Sequence, residues 1–356
     1  MKNLHIMFNQ KFISSYIKFI NNNFSINENY FLIIGGLSKE ERPIPDYLNV
    51  KYIEFLKKRN KIFNIIFLYY ILFQKIRKSE KIYIHGLFDK KIIFFLYIFR
   101  NFLKKSNWII WGGDLYCYEK RKEKSLWYII EDYVKRNFGY VNTLTPGDYK
   151  IAKDYFNVQG KYKKAQYIIE SDFSSLNNFV PRKKTEVYIQ IGNSDDPSNN
   201  HFDILDTLSK FRNKNIRIFC ILSCGSREYV KKVNEYGKKI FGKKFVGIFN
   251  FMSIEEYCRY LSNIDILILN HKRQQGLGTI FMSSYFEQKI YLRKDISSWD
   301  YLKNDLKLKI NSYENIKNET FEEFRKNNSN GNKDIILTTV YSDKYVKNIW
   351  EDNFNN

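Results

Sequence analysis

The run IDILILN (Ile264–Asn270) leads directly into HKRQQGLGT (His271–Thr279) and then into Ile280–Gln288. A short apolar run of this kind, rich in Ile and Leu, reads as a strand buried on both faces of a parallel sheet. The next nine residues are basic and glycine-spaced, and a helix-length segment follows. Strand, glycine turn and helix are the repeating half of a βαβ unit, so the stretch predicts an α/β fold. It also predicts an anion cradle. Backbone N–H groups at a helix start point outward, the helix dipole favours negative charge, and Arg273 or Lys272 adds a charge-assisted contact. An ordinary connecting loop that uses Gly276 and Gly278 for backbone freedom reads equally well from these residues alone.

The same alternation extends in both directions. Strands are expected at 4–8, 30–34, 50–55, 81–85, 108–111, 140–144 and 166–169. A second series is expected at 187–191, 216–222, 245–249, 264–270 and 290–292. Helix-length segments lie between them, which argues for two doubly wound parallel sheets. Thr145-Pro146-Gly147-Asp148 and Ser253-x-x-Glu256 are helix starts with a cap, a proline and acceptor carboxylates in place. The polar stretch 177–186, with Pro181, marks a seam. The expected domains are 1–178, 179–340 and a C-terminal helix, 341–356, that packs back toward the first. Two such domains face to face would bury ligands in the cleft at the carboxyl ends of their strands.

Charge is uneven along the chain. Of 59 basic and 38 acidic residues, 30 and 16 fall in residues 1–180, a net of about +14, against about +7 for the rest. Compositional bias toward Lys, Asn and Ile raises lysine everywhere, but it does not concentrate the excess in one half. A basic face suits polyanions, anionic lipid or phosphorylated substrates. The longest apolar runs, Ile65–Phe73 and Ile92–Phe99, are far short of the ~20 residues a membrane span needs. Both have cationic shoulders (Lys57, Lys58, Arg59 and Lys61; Lys75, Arg77 and Lys78; Lys90, Lys91, Arg100, Lys104 and Lys105). Their apolar residues are expected mostly in the core, and some of the cations at a membrane surface. No secretory apolar segment opens the sequence, and Cys117, Cys220, Cys224 and Cys258 show no metal or disulfide spacing, which suggests a reducing compartment.

Three more polar clusters follow expected strands. WGGDLY (Trp111–Tyr116) lets the backbone approach a ligand at Gly112 and Gly113 and delivers Asp114 as a candidate general base; by residue type an Asx turn or cap is the commoner use of such an Asp. GNSDDPSNNH (Gly192–His201) offers Asn193, Ser194, Ser198 and Asn199 for phosphate or ribose. Of Asp195 and Asp196, one is expected to turn away as a cap. His85-Gly86 is a weaker site, in which His85 orients a base or contacts phosphate, and a lone strand-end histidine is more often structural. In the opening segment, Arg273 is the natural diphosphate partner, with Gln274, Gln275 and Thr279 beside it for sugar hydroxyls and the helix start. Glu287, acidic and nearby, is expected to be surface.

Two clusters per domain, one pair for a nucleotide diphosphate and one for an acceptor, is the layout of a GT-B glycosyltransferase. IWGGDLY (Ile110–Tyr116), IGNSDDPSNNH (Ile191–His201) and RQQGLGT (Arg273–Thr279) together resemble the motifs of glycosyltransferase family 56. His85-Gly86 and the Tyr345–Trp350 end fit as well. The sequence departs from the family pattern at Gly113, Asp195, Pro197 and Ile169-Glu170-Ser171. The resemblance implies an inverting transfer with no metal on the nucleotide and no cofactor. The implied donor is a dTDP-sugar, of the N-acetylfucosamine (4-acetamido-4,6-dideoxygalactose) type. The implied acceptor is an undecaprenyl-diphosphate-linked glycan of the kind used in enterobacterial common antigen assembly. Asp114 would then be the base and Arg273 would stabilise the leaving phosphate, on an enzyme held peripherally at the cytoplasmic face of the bacterial inner membrane.

Other classes fit less well. A nucleic-acid binder would interleave Lys and Arg with exposed aromatics on one surface, whereas the aromatics here fall mostly at expected core positions; no nucleic-acid partner is expected. A dinucleotide oxidoreductase would show GxGxxG after the first strand, and none is present. A transferase of the same architecture with a soluble glycan or protein acceptor stays open.

Overall fold

A computed structural model describes residues 1–10, 12–36, 43–53, 61–121, 125–168, 179, 184–223 and 227–356. The chain divides into two units: Met1–Glu170 with Asp343–Asn356, and Ser171–Ser342. The expected seam at 177–186 lies largely outside the described residues.

In the first unit β1 (Asn3–Asn9), β2 (Asn29–Gly36), β3 (Val50–Ile53), β4 (Lys81–His85), β5 (Ser106–Ile109), β6 (Tyr140–Thr143) and β7 (Lys161–Lys164) form one sheet, ordered β3-β2-β1-β4-β5-β6-β7. All pairings are parallel; β1 lies between β2 (Leu4↔Tyr30) and β4 (Leu4↔Ile82). Side chains alternate between two cores. α2 (Lys61–Arg77), α3 (Lys90–Ile98), α4 (Leu126–Arg136) and α5 (Pro146–Phe156) cover one face through Leu72, Phe95, Val134 and Phe156, while α1 (Ile13–Asn23) and the C-terminal helix Asp343–Asn355 cover the other through Tyr16, Ile20, Trp350 and Phe354. The terminal helix is tied to the sheet by polar bonds: Trp350 Nε1 donates to the Gln166 carbonyl (2.8 Å) and Tyr83 Oη to the Asn353 carbonyl (2.7 Å).

Two strands of this unit differ from the sequence reading. The last is Lys161–Lys164, not 166–169. Its lysine-rich KYKK looks like a loop, but cations suit the unpaired edge of a sheet; among the residues expected there, Gln166 anchors the terminal helix instead. β5 ends at Ile109, two residues early, because the Trp111 N–H leaves the ladder for the Asp114 carboxylate (2.9 Å). Most residues of the two apolar runs are buried or packed against the core, as expected, with exceptions on the outer side of α2. Leu68, Ile71, Leu72 and Ile76 of α2 are buried, but Phe63, Ile66, Phe67 and Tyr70 are exposed.

The second unit has β8 (Val187–Ile191), β9 (Ile216–Ile221), β10 (Phe245–Ile248), β11 (Ile266–Leu269), β12 (Lys289–Leu292) and the two-residue β13 (Asn311–Ser312), ordered β10-β9-β8-β11-β12-β13 and wholly parallel. β13 is too short to carry a periodic signal. α6 (His201–Leu208) and α7 (Arg227–Phe241) pack on one face through Ile204, Leu205 and Val233. α8 (Ile254–Leu261) starts with the expected capping box: the Ser253 N–H donates to Glu256 Oε2 at 2.7 Å, and the Glu256 N–H to Ser253 Oγ at 3.3 Å. α9 (Leu277–Tyr285) follows β11. Among the described residues no helix is long and apolar enough to cross a membrane.

Candidate functional site

In each sheet the chain reverses direction between the first and fourth strands, β1/β4 and β8/β11. Ligands of open α/β sheets bind beyond the carboxyl ends of strands at such a reversal. In the second unit both polar motifs sit there, because one follows β8 and the other follows β11. They form a single hydrogen-bonded cluster. His271 Nε2 lies 2.7 Å from Asn199 Oδ1, which also accepts from the Asn193 N–H (2.9 Å). Gln275 accepts from Ser198 Oγ (2.8 Å) and donates to Asn193 Oδ1 (3.2 Å). Asn199 Nδ2 donates to Ser194 Oγ (3.1 Å). Two glycines make the approach feasible. Gly192 has φ +65° and a Cβ there would lie 2.4 Å from His201 Nε2; Gly276, at φ +71°, opens α9 with a Cβ position 3.0 Å from His271 Cε1.

The cluster therefore sorts the expected donor residues into two groups. Asn199, Ser198 and Gln275 point at one another, and Asn199 is fully buried. They shape the loops rather than present free groups, which corrects their reading as direct ligands. Thr279 likewise turns inward, its Oγ1 3.0 Å from the Tyr257 hydroxyl. Gln274 is partly exposed on the same turn. Arg273 is also partly exposed, 3.6 Å from Asp196 Oδ2. Asp196 is the expected cap: its carboxylate accepts from the Ser198 N–H at 2.8 Å. At the start of α9 no atom lies within 4 Å of a Cβ built on Gly278, so a ligand has open space there. Glu287 is engaged structurally, accepting from the Gly331 N–H at 2.5 Å.

Sequence reading assigned no role to His271 and His201. Burial lowers both pKa values to about 4, so both rings are neutral near pH 7. His201 Nδ1 pairs with the Tyr229 hydroxyl (3.0 Å). The available signal was position: each is a histidine beside a glycine-bearing turn at a strand's carboxyl end.

At the carboxyl edge of the first unit's sheet, Asp114 is 2% exposed. Its Oδ2 accepts from the Leu87 N–H (2.9 Å) and Trp108 Nε1 (2.7 Å), and its Oδ1 from the Trp111 N–H. Three of roughly four lone-pair positions are thereby filled. Buried Lys135 holds the Asp114 carbonyl from below (2.6 Å) and forms an ion pair with Glu131 (2.6 Å). In this geometry Asp114 is a frame that joins the β4 and β5 loops, with one acceptor position left for the role of base expected from the sequence. The carboxylate forms neither an Asx turn nor a helix cap, since its three donors all precede it in the chain. Tyr116 also points inward, donating to Asp148 Oδ1 at 2.8 Å. Gly113 is exposed, Gly112 is buried, and Trp111 is partly exposed.

His85 is fully buried with both ring nitrogens engaged, so it touches no solvent-borne substrate. Trp111 Nε1 donates to the Tyr167 hydroxyl (2.8 Å), Tyr167 pairs with His85 Nδ1, and His85 Nε2 lies 3.0 Å from His5 Nδ1. His5 Nε2 ends the chain at Asn29 Oδ1 (3.5 Å). One proton per histidine satisfies every link in a single direction. Burial depresses both pKa values, His5 to about 3. His85 thus positions the Trp111 loop from beneath.

Two parallel sheets with polar loops at their reversal points define the class. The chain superimposes on HepE from Anabaena, solved with UDP, with a TM-score of 0.69 at 10% identity over 99% of each chain. A sucrose-phosphate synthase from Thermosynechococcus elongatus gives 0.68 at 7% identity, covering 99% of this chain and 98% of that one. The lipopolysaccharide outer core galactosyltransferase WaaB gives 0.64 at 10%, over 98% of both. The fold is that of the GT-B glycosyltransferases. Within that class the chain belongs to the family described as 4-alpha-L-fucosyltransferase, glycosyl transferase group 56, whose model matches residues 17–355. It is a glycosyltransferase, and its family works with a nucleotide-sugar donor and a glycan acceptor.

Proposed function

We propose that the chain moves a deoxy- or acetamido-sugar, of the 4-acetamido-4,6-dideoxygalactose type, from a dTDP-sugar to a polyprenyl-diphosphate-linked glycan, with inversion. The observation that carries this is the hydrogen-bonded cluster of the β8 and β11 loops, which shapes a polar opening at the start of α9 with Arg273 at its rim. In the transfer the acceptor hydroxyl oxygen bonds to the anomeric carbon as the bond from that carbon to the β-phosphate oxygen breaks. The nucleoside diphosphate leaves with the electron pair, and the hydroxyl proton goes to a base. Arg273 and the N–H groups around Gly276 and Gly278 stabilise the departing charge, a task that divalent cations perform in other enzymes. Asp114, His85 and Tyr167 hold the Trp111–Gly113 loop for the acceptor. The UDP in the HepE structure supports a nucleotide in this class of fold, and the motif resemblance supports dTDP.

Thermal-shift titration with dTDP, UDP, GDP and NADH, without magnesium, tests the donor side. A dTDP-selective rise in Tm is expected. Equal response to all four, or an absolute need for magnesium, overturns the donor assignment.

A further inference from the structure

α2 carries two apolar stripes. Leu68, Ile71, Leu72 and Ile76 face the sheet, whereas Phe63 (62% exposed), Ile66 (59%), Phe67 and Tyr70 (63%) form a second stripe at i, i+3, i+4, i+7 on the outside. A helix apolar on two sides normally lies inside a protein. The neighbouring helices extend the outer patch through Phe94 of α3 and Leu126, which opens α4. Contacts between Tyr69 and Phe95 (5.2 Å) and between Tyr97 and Tyr133 (5.4 Å) hold the three helices side by side.

Along α2 and α3 the charge has one sign, with Asp89, which caps α3, and Asp132 of α4 beside them. Residues 61–79 and 90–113 contain no Asp or Glu, while Lys61, Arg77, Lys90, Arg100 and Lys104 are all exposed. The patch also has a fixed place in the unit. α2, α3 and α4 each follow a strand's carboxyl end, so Phe63, Phe67 and Leu126 lie toward the edge that carries the Trp111–Asp114 loop. Phe88, half exposed, joins the two: its ring lies 5.8 Å from Trp111 and covers Gly86 and Gly113.

From this geometry we infer that the outer stripe of α2, with Phe94 and Leu126, inserts into the headgroup region of an anionic bilayer while the surrounding cations bind lipid phosphate. The inference rests on the proposed lipid-linked acceptor and deepens it. Docking by this edge brings the Trp111 loop to the surface where such an acceptor is anchored. Charge recruits the protein, and apolar insertion retains it.

The test is co-sedimentation of the full chain with vesicles of phosphatidylglycerol and phosphatidylcholine that carry no glycan. Wild type is expected to stay bound in about 1 M salt, where the Debye length is about 3 Å. The variant Phe63→Ser/Ile66→Ser/Phe67→Ser is expected to partition at least tenfold less under that condition, with its nucleotide thermal shift unchanged. Hydrogen exchange of wild type provides a readout that needs no variant: amides of 61–77 should slow on vesicle addition. Wild type that is fully released by salt, or 61–77 unprotected by vesicles, overturns insertion. So does sedimentation velocity showing a dimer that the triple variant dissolves, since a second copy would then cover the patch. Because the vesicles hold no substrate, a failure here leaves the dTDP result intact, and the converse also holds.

Discussion

Nε2 of His271 lies 2.7 Å from Oδ1 of Asn199, joining two motifs 72 residues apart in the chain. Asn199 receives the Asn193 N–H on the same oxygen and gives its own N–H groups to Ser194 Oγ and the Asp196 carbonyl. It is the hub of the loops after β8 and β11. Asn199→Ala leaves the buried His271 ring without this partner, at about 1–3 kcal/mol, and the part-buried Asn193 N–H loses its acceptor as well. Tm is expected to fall by at least ~4 °C, and the dTDP shift to disappear. Unchanged melting in differential scanning calorimetry would refute the hub.

Arg273 is expected to act on the reaction. Asp196 Oδ2 lies 3.6 Å from its guanidinium and is about half exposed, a weak pair. Arg273→Ala should lower kcat by at least ~100-fold, the size of losing one donor to a developing anion. Arg273→Lys should recover only part of this, because a point charge lacks the two-pronged fork. Steady-state transfer assays with both variants decide it.

Gly278 separates fold from ligand approach. The space beside it is open, so Gly278→Ala is sterically free in the protein and gains up to ~1 kcal/mol of helix propensity at the start of α9. Tm is expected to rise slightly while nucleotide affinity drops. An affinity equal to wild type in calorimetric titration would place the diphosphate elsewhere.

Asp114→Asn tests framing against proton abstraction. An amide group must turn an N–H toward one of the three N–H donors, at about 1–3 kcal/mol. Stability and activity should fall together, and the pH profile of the remaining activity should keep its shape. Full stability with collapsed kcat and a lost acidic limb would assign Asp114 as the base.

All four histidines of the chain (His5, His85, His201 and His271) are fully buried with depressed pKa values, His5 to about 3, His201 and His271 to about 4. The unfolded chain protonates its histidines near pH 6.5 and the folded one does not. The histidine contribution is therefore flat above pH 6.5. Below it, His5, His201 and His271 each cost about 1.4 kcal/mol per pH unit until their folded pKa of about 3 or 4 is reached, and His85 acts in the same direction. Urea melts from pH 8 to pH 5 should show this. His201→Gln should reduce the slope, because one titrating group is removed.

Much of the architecture was written in local pattern. IDILILN reads as a buried strand because both faces of a parallel sheet are covered. WGGDLY, GNSDDPSNNH and HKRQQGLGT stood out because glycines and short polar residues punctuate strand ends. KYKK did not read as a strand, since an edge strand with solvated lysines has no apolar period. α2 read as core because composition records how apolar a helix is, not how many of its sides are covered.

Residue types and spacing alone determined two doubly wound sheets, the loops that carry chemistry and the family resemblance, because those depend on short-range periodicity and unusual strings. Which polar side chains remain available was decided only by the tertiary structure. Asn199, Gln275, Asp114 and His85 look like ligands or catalysts in the sequence, yet much of their hydrogen-bonding capacity is taken up within the fold, by near neighbours such as Trp111 and Asn193 and by distant ones such as Leu87 and His271. Burial makes that pairing obligatory: a desolvated polar group without a partner is costly, so the fold engages such groups first.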